Sequence, residues 1–321
     1  MSSILLTGGA GFIGSNLARA LLRDERVSKV RILDNFSTGY RKSLEDLKDL
    51  PTFELIEGDI TDYATCLHAM QGIDKISHQA ALGSVPRSIS DPVNTNASNI
   101  TGTLNIYTAA KEAGIKRIVY AASSSTYGDS ENLPKVEDTI GKPLSPYAVT
   151  KYVMELYADV FARIYQMEFI GLRYFNVFGP YQSPSGAYAA VIPLFMNAVI
   201  QDQAPTINGD GSYSRDFTFV DNVVQANINA LFTENSAALN QVYNIAFGES
   251  TTLLQLFDII KDLAGSHLKP NFGAFRLGDI PHSLANIDKA KSLLNYQPAI
   301  SVSEGLRISF DWYKKNSGYF K

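Results

Sequence analysis

"TGGAGFIG", Thr7–Gly14, follows the apolar run "SILL" and leads into the amphipathic stretch "SNLARALLRD". Gly8, Gly11 and Gly14 recur at every third position. Glycines at a strand-to-helix turn permit a tight reversal and let the backbone approach a diphosphate. The helix beyond offers unpaired N–H groups and the positive end of its dipole. A glycine triplet alone is a weak signal. This one sits at the first strand-to-helix turn, and Asp34 ends the next β-type run 20 residues after Gly14. A carboxylate there accepts hydrogen bonds from ribose hydroxyls and repels a 2′-phosphate, so NAD is expected over NADP.

Further along, short β-type runs alternate with helical segments. "KVRILD" (29–34), "TFELIEGD" (52–59), "DKISHQAA" (74–81), "KRIVYAA" (116–122) and "EFIGLRYF" (168–175) are separated by helices near 62–70, 95–114 and 147–165. Nearly continuous apolar strands suit a parallel sheet covered on both faces. The expected fold is therefore α/β, a Rossmann-type doubly wound sheet. Asp59 and Ile60 end the third strand, where Asp59 has an alternative use as a helix cap. After Phe175, "NVFGPYQSPSGAY" reads as a loop. A helix near 189–201 follows. "DFTFV" (216–220), a helix near 221–233 and "VYNIA" (242–246) read as a return to the sheet. Residues 248–321 read as a smaller mixed lobe with two or three helices. The cofactor domain is thus expected to span 1–175 and 216–247, and the smaller lobe 176–215 and 248–321.

The chain has 321 residues, 45% apolar and 19% charged, ordinary globular values. Its single cysteine, Cys66, excludes an internal disulfide. The net charge of −4 arises from well-mixed residues, 28 basic and 32 acidic, which argues against a nucleic-acid partner. No apolar run reaches the length of a membrane span. "MSSILLTGG" lacks the basic and long apolar regions of a signal peptide, so the expectation is a soluble, cytoplasmic protein. His68, His78, His267 and His282 show no paired metal spacing, so no metal is assigned.

"SPYAVTKY" sets Tyr147 and Lys151 four apart at a helix start, on one helix face. A free tyrosine, with a pKa of about 10, is only about 0.1% ionised at pH 7. A neighbouring ammonium favours the phenolate, so the pair can act as a general base near neutrality. An exposed helix pair has the same spacing; the surrounding dinucleotide-type fold gives the catalytic reading its weight. Ahead of the pair, "RIVYAA" ends in Ser123, Ser124 and Ser125. Serine hydroxyls there can satisfy backbone groups at a strand end.

The glycine loop, Asp34, Ser123 standing 24 residues before Tyr147, and the Tyr147–Lys151 pair resemble the extended short-chain dehydrogenase/reductases over essentially the whole chain. "SSSTYGD", "SPYAVTK", "GLRYFNVFGP", "NGDGSYSRDF" and "RLGDIPHSLA" look like the UDP-hexose (UDP-N-acetylglucosamine) 4-epimerases. "ALGSVPRSI" and "GAYAAVIP" resemble their bacterial branch that prefers UDP-N-acetylhexosamines. The resemblance implies reversible C4 epimerisation of UDP-GlcNAc and UDP-GalNAc through a 4-keto sugar, with NAD held throughout. Epimerisation of the corresponding uronic acids or of UDP-glucose stays open as an alternative.

By the same resemblance, Tyr147 is the base, Lys151 its electrostatic partner and a nicotinamide-ribose contact, and Ser123 the hydroxyl bridging to the sugar 4-oxygen. Gly8, Gly11, Phe12, Ile13, Gly14, Asp34, Asn35, Ser37, Asp59, Ile60, Ala81 and Asn99 are expected at NAD. Ser84, Ser124 and Ser125 line the sugar pocket; Asn176 and Arg215 hold the diphosphate; Arg276 and Asp279 hold the uridine side. The smaller lobe becomes the UDP-sugar-binding lobe. Alternatives stand beside some of these: Arg215 could pair with the adjacent Asp216, Asp279 could cap a turn, and Asn176 opens a Gly/Pro loop where asparagine is common.

Sister dehydratases carry an Asp–Glu pair where this chain has Ser124 and Ser125, and decarboxylases keep a glutamate at the second of those positions, so elimination is disfavoured. A gate residue, tyrosine in enzymes restricted to UDP-glucose and UDP-galactose, aligns with Ser283, which would admit an N-acetyl group. Arg87 is a candidate partner for a C6 carboxylate. The family's paired long helices imply a homodimer, with Ile106, Tyr107, Tyr157 and Phe161 read as exposed apolar residues.

Overall fold

A computed structural model describes residues 1–185, 189–275 and 280–320. Its strands are β1 (Ser2–Thr7), β2 (Val27–Asp34), β3 (Phe53–Glu57), β4 (Lys75–His78), β5 (Arg117–Ser123), β6 (Glu168–Tyr174), β7 (Val177–Phe178), β8 (Thr206–Asn208), β9 (Ser214–Arg215), β10 (Thr218–Phe219), β11 (Gln241–Ile245), β12 (Thr251–Thr252) and β13 (Asn271–Gly273). Its helices are α1 (Phe12–Leu21), α2 (Tyr63–Ala69), α3 (Val85–Ser90), α4 (Pro92–Asn96), α5 (Gly102–Glu112), α6 (Pro146–Tyr165), α7 (Val191–Ile200), α8 (Val220–Phe232), α9 (Leu253–Leu263), α10 (Asp288–Leu294) and α11 (Val302–Lys315). A π turn over Ala97–Thr101 joins α4 to α5.

Seven strands form one parallel sheet in the order β11-β6-β5-β4-β1-β2-β3. The order reverses between β1 and β4, and a crevice at such a reversal is where ligands settle in open α/β sheets. Both faces are apolar because strand side chains alternate. In β1, Ile4 and Leu6 join one core cluster with Leu17, Leu21 and Val223, while Leu5 joins the other with Ile106, Met154 and Phe161. A third cluster, built on Phe178, Phe195, Phe217, Phe257, Leu306 and Phe310, forms the smaller lobe. Phe12, at the head of α1, packs against that third cluster, so the glycine turn stands where sheet and lobe meet.

Three sequence expectations change. "DFTFV" does not rejoin the main sheet: Thr218–Phe219 pair with Val177–Phe178, and only β11 returns beside β6. Ala290, Leu294 and Tyr296, from the C-terminal stretch, pack in the cluster around α8 rather than in the lobe. Ile106, Tyr107 and Phe161 are buried against the sheet, not exposed. The exposed apolar residues of α6 are instead Val149, Leu156, Val160, Ile164 and Tyr165.

Helix α6 begins at Ser145, whose side chain accepts from the Ala148 N–H, with Pro146 in the first turn. It is pinned to β6 by a buried ion pair: Nε and Nη2 of Arg173, one edge of its guanidinium, donate to the two oxygens of Glu155 at 2.9 and 2.7 Å. Arg173 also donates to the Glu137 carbonyl and lies 4.9 Å over the Tyr127 ring. Removing one partner strands a buried charge. Arg173→Leu is expected to lower stability by about 3–5 kcal/mol in urea unfolding, and the double variant Arg173→Leu/Glu155→Leu to recover much of that loss.

Candidate active site

One cleft runs along the carboxyl edge of the sheet at the reversal point. Gly8, Gly11, Phe12, Ile13, Gly14, Asp34, Asn35, Ser37, Ile60, Ala81, Tyr147 and Lys151 all line it, with Arg87 and Tyr174. The glycine turn is tight enough to require glycine. Gly8 has φ +70°, and a Cβ on it would stand 2.7 Å from the Ala80 backbone. A Cβ on Gly14 would stand 2.1 Å from the Gly8 carbonyl oxygen. No side chain caps α1 and its first turn holds no acid, so its leading N–H groups face the cleft uncapped.

Asp34 is buried, and its two oxygens accept from the N–H groups of Ala10 and Phe36, each at 2.8 Å. Burial raises its pKa and these two bonds pull it back. It therefore braces the glycine turn as well as facing the cleft. Asp59 does not cap α2; Asp62 does. Asp59 instead accepts from Thr61 and from the Asn35 amide at 2.7 Å, which holds Asn35 at the cleft wall. Asn99 is fully buried and does not line the cleft. Its amide is taken up by the Leu82 N–H at 2.8 Å, the Leu82 carbonyl and Thr150, so it positions the loop after β4.

Ser123 ends β5 beside the N-terminal turn of α6. Its Oγ accepts from the Ser125 N–H at 3.2 Å and the Ser125 hydroxyl at 2.9 Å, so it caps the short turn over Ser124–Tyr127. Two readings of the triplet thus hold together: Ser123 satisfies backbone at a strand end, and its hydroxyl stands beside Tyr147. Ser124 and Ser125 are half-buried in the same turn. Burial raises the Tyr147 pKa, and the Ser123 hydroxyl pulls it down. Lys151 is buried; burial brings its pKa down to about 8, opposed by the charge of Glu155 one turn on. Its Nζ donates to the Ala121 carbonyl at 2.7 Å and lies 5.9 Å from the Tyr147 ring centroid. The ammonium–phenol coupling expected from sequence is accordingly weak in this arrangement, because the nearest acceptor of Lys151 is a backbone carbonyl.

Asn176 and Arg215 line a second cleft, in the smaller lobe, with Val177, Phe195, Tyr213 and Phe217. Arg215 donates to the Ser214 and Pro281 carbonyls at 2.9 and 3.1 Å. Its neighbour Asp216 is bound by backbone N–H groups instead. Ser283 donates its N–H to the Ser214 carbonyl, one residue from Arg215. Ser84 caps α3, accepting from the Arg87 N–H. Arg276 and Asp279 lie outside the described residues. Sequence reasoning missed Gln79 and Tyr174, which line the first cleft and hydrogen-bond each other at 3.0 Å. Their only sequence signal is position at a strand's carboxyl end. Among the described residues no cluster of His, Cys, Asp and Glu could hold a metal, and no helix is long and apolar enough to cross a membrane.

Residues 4–246 match the model of the NAD dependent epimerase/dehydratase family. The chain belongs to that family. It is 35% identical over 315 residues to a putative UDP-glucose 4-epimerase of Methanocaldococcus jannaschii, covering 98% of this chain and 99% of that one. It resembles the structure of a UDP-N-acetylglucosamine 4-epimerase of Methanobrevibacter ruminantium in complex with UDP-N-acetylmuramic acid, at 37% identity, TM-score 0.91 and 98% coverage of both chains. It also resembles a UDP-glucuronic acid 4-epimerase of Bacillus cereus in complex with UDP-glucuronic acid and NAD, at 31% identity and TM-score 0.89, covering 98% of this chain and 99% of that one.

NAD is the cofactor of this family member, and the first cleft fits it. The open face of Gly11, where a Cβ would meet nothing nearer than the Gly8 carbonyl at 3.3 Å, and the uncapped start of α1 suit a diphosphate. Asp34 suits a ribose diol.

The depressed Lys151 pKa has a measurable sign. Between pH 8 and about 10.5 the unfolded chain holds a proton on Lys151 that the folded chain has released, so stability rises with pH there. The stability of the wild type relative to Lys151→Met is expected to increase between pH 8 and 10 in denaturant unfolding; a flat difference would contradict the burial argument.

Proposed function

We propose that this enzyme, an NAD-dependent UDP-sugar 4-epimerase, interconverts UDP-N-acetylglucosamine and UDP-N-acetylgalactosamine through a 4-keto sugar. The observation that carries this reading is that Tyr147 and Lys151 line the cofactor cleft, with the Ser123 hydroxyl beside Tyr147 and serines, not acids, at 124 and 125. Tyr147 takes the proton of the sugar 4-hydroxyl, and the Ser123 hydroxyl bridges phenol and sugar oxygen. Lys151, 5.9 Å from the Tyr147 ring centroid, gives the phenolate weak support in this arrangement and would strengthen it by moving closer when substrate binds. Bound NAD supplies the two-electron acceptor at C4 and returns the same equivalent, so none need be added. Serine hydroxyls at 124 and 125 are poor acids and bases at neutral pH, so the ketone is left to be reduced again rather than driven to eliminate water. Asn176 and Arg215 hold the diphosphate, Arg215 as a bidentate donor. Ser283 leaves room at C2 for the N-acetyl group.

Arg87, in the wall of the first cleft, favours a second reading, a hexosaminuronic acid whose C6 carboxylate it would meet. The deciding experiment incubates the purified protein, without added cofactor, with UDP-GlcNAc, its 6-carboxylate and UDP-glucose. UDP-GalNAc as the leading product is expected; preferential turnover of the carboxylate would replace the first reading by the second. Tyr147→Phe should cut kcat by about a hundredfold or more with NAD still bound. Ser283→Tyr should remove turnover of the acetylated sugars and spare UDP-glucose, and equal loss on both would sink the gate.

The assembly we propose is a two-fold homodimer through α6. Val149, Leu156, Val160 and Ile164 form an exposed apolar stripe, flanked by exposed Ile89 and Val93 from α3 and α4, which pack beside α6. Leu156→Glu/Ile164→Glu should yield a particle of one 35.2 kDa chain in light scattering where the wild type shows two.

A further inference from the structure

Asp216 is fully buried, and backbone N–H groups rather than a cation hold its carboxylate. One oxygen accepts from Phe247 at 3.0 Å and Gly248 at 3.2 Å. The other accepts from Gly248 at 3.1 Å and Ala285 at 3.2 Å. Its backbone carbonyl accepts from the Asn176 side-chain amide at 3.0 Å. The residue before it is Arg215, and Ser283 stands two residues before Ala285.

We propose that Asp216 is a positioning residue for the UDP-sugar: it ties the strand bearing Arg215 to the segment bearing Ser283 and to the Asn176 amide, so that these three groups face the substrate in one fixed arrangement. The proposal rests on the UDP-sugar reading above.

The connections close on themselves. Asp216 holds the turn at Phe247–Gly248, and the chain leaving that turn forms β12, where Thr251 pairs with Arg215. Arg215 is thus held directly by β12 and, through the backbone, by the anchoring of its neighbour Asp216. On the far side, Ser283 donates to the Ser214 carbonyl while Ala285 donates to Asp216, so two bonds hold that segment in register with β9. The Ser214 hydroxyl also links the two segments, meeting Ser250 at 2.8 Å and His282 at 2.9 Å; among the described residues only the Asp216 carboxylate bonds Phe247, Gly248 and Ala285 themselves. All the groups that meet the carboxylate are donors. An asparagine would turn its NH2 toward a backbone N–H and keep only one acceptor oxygen, at nearly the same volume. The segments would stay packed by their apolar neighbours but lose the bonds that fix their relative register.

The test uses the NAD-loaded full chain, comparing wild type, Asp216→Asn, Arg215→Ala and the double variant. Expected for Asp216→Asn is a rise of about tenfold in KM for UDP-GlcNAc and in the calorimetric Kd for UDP, with kcat within about threefold and bound NAD unchanged. In the Arg215→Ala background the same change should add less than about twofold, because the two residues act through one arrangement. A loss confined to kcat, an unchanged Kd, or full additivity in the double variant would overturn the positioning role. Wild type that binds no UDP would overturn the substrate reading and this proposal with it; wild type that binds UDP as weakly as Asp216→Asn would overturn the proposal alone. If the variants fail to fold, hydrogen exchange of the wild type decides: the Phe247, Gly248 and Ala285 amides should slow together on adding UDP, and indifference to UDP would refute the proposal.

Discussion

The approach of Gly14 to the carbonyl of Gly8 fixes where everything else stands. With a Cβ on Gly14 only 2.1 Å from that oxygen, any other residue would push α1 off the end of β1. The glycine lets the helix begin at the carboxyl edge of the sheet, beside the point where strand order reverses. The uncapped N–H groups, the Asp34 carboxylate and the contact of Phe12 with the smaller lobe then follow from that one placement. Ser123, Tyr147 and Lys151 arrive from the other side of the same edge, because β5 ends at Ser123 and α6 starts next to it.

At Tyr147 and Lys151 two effects oppose each other. Burial raises the Tyr147 pKa and lowers that of Lys151, so each is pushed toward its neutral form. The Ser123 hydroxyl favours the phenolate, and the buried Glu155 favours the ammonium. Glu155 is itself committed to Arg173, so its charge is present without competing for Lys151 as a hydrogen-bond partner. The ion pair that pins α6 to β6 thereby also helps keep Lys151 charged.

What the sequence made legible was local. The glycine turn, Asp34, the Tyr147–Lys151 spacing and the long strands each occupy a short window with its own period or punctuation. What it hid depends on partners far along the chain. Thr218 and Phe219 form a two-residue strand too short for any period, so their pairing with Val177 and Phe178 left no trace. Ile106, Tyr107 and Phe161 sit on helices with apolar residues on more than one side, so composition alone did not say which side meets the sheet. Asn99 looked like a cofactor contact, yet its amide is saturated by Leu82 and Thr150. Gln79 and Tyr174 reach the cleft because strands 95 residues apart in sequence end at the same edge. Asp216 read as a possible partner for Arg215; its real partners lie 31, 32 and 69 residues further on.

Two buried aspartates, one on each side of the site, do the same physical work. Asp34 gathers the N–H groups of Ala10 and Phe36 around the cofactor cleft. Asp216 gathers those of Phe247, Gly248 and Ala285 beside Arg215 and Ser283. Among the described residues neither has a cation bonded to its carboxylate. Burial raises both pKa values, that of Asp216 to about 7, against the pull of the N–H bonds. The linkage sign follows: between about pH 4 and 7 the folded chain holds a proton on Asp216 that the unfolded chain has lost, so ionising it costs stability as pH rises through that window. Ionised, Asp216 therefore adds less stability than it does protonated, while its oxygens still collect the N–H groups of Phe247, Gly248 and Ala285.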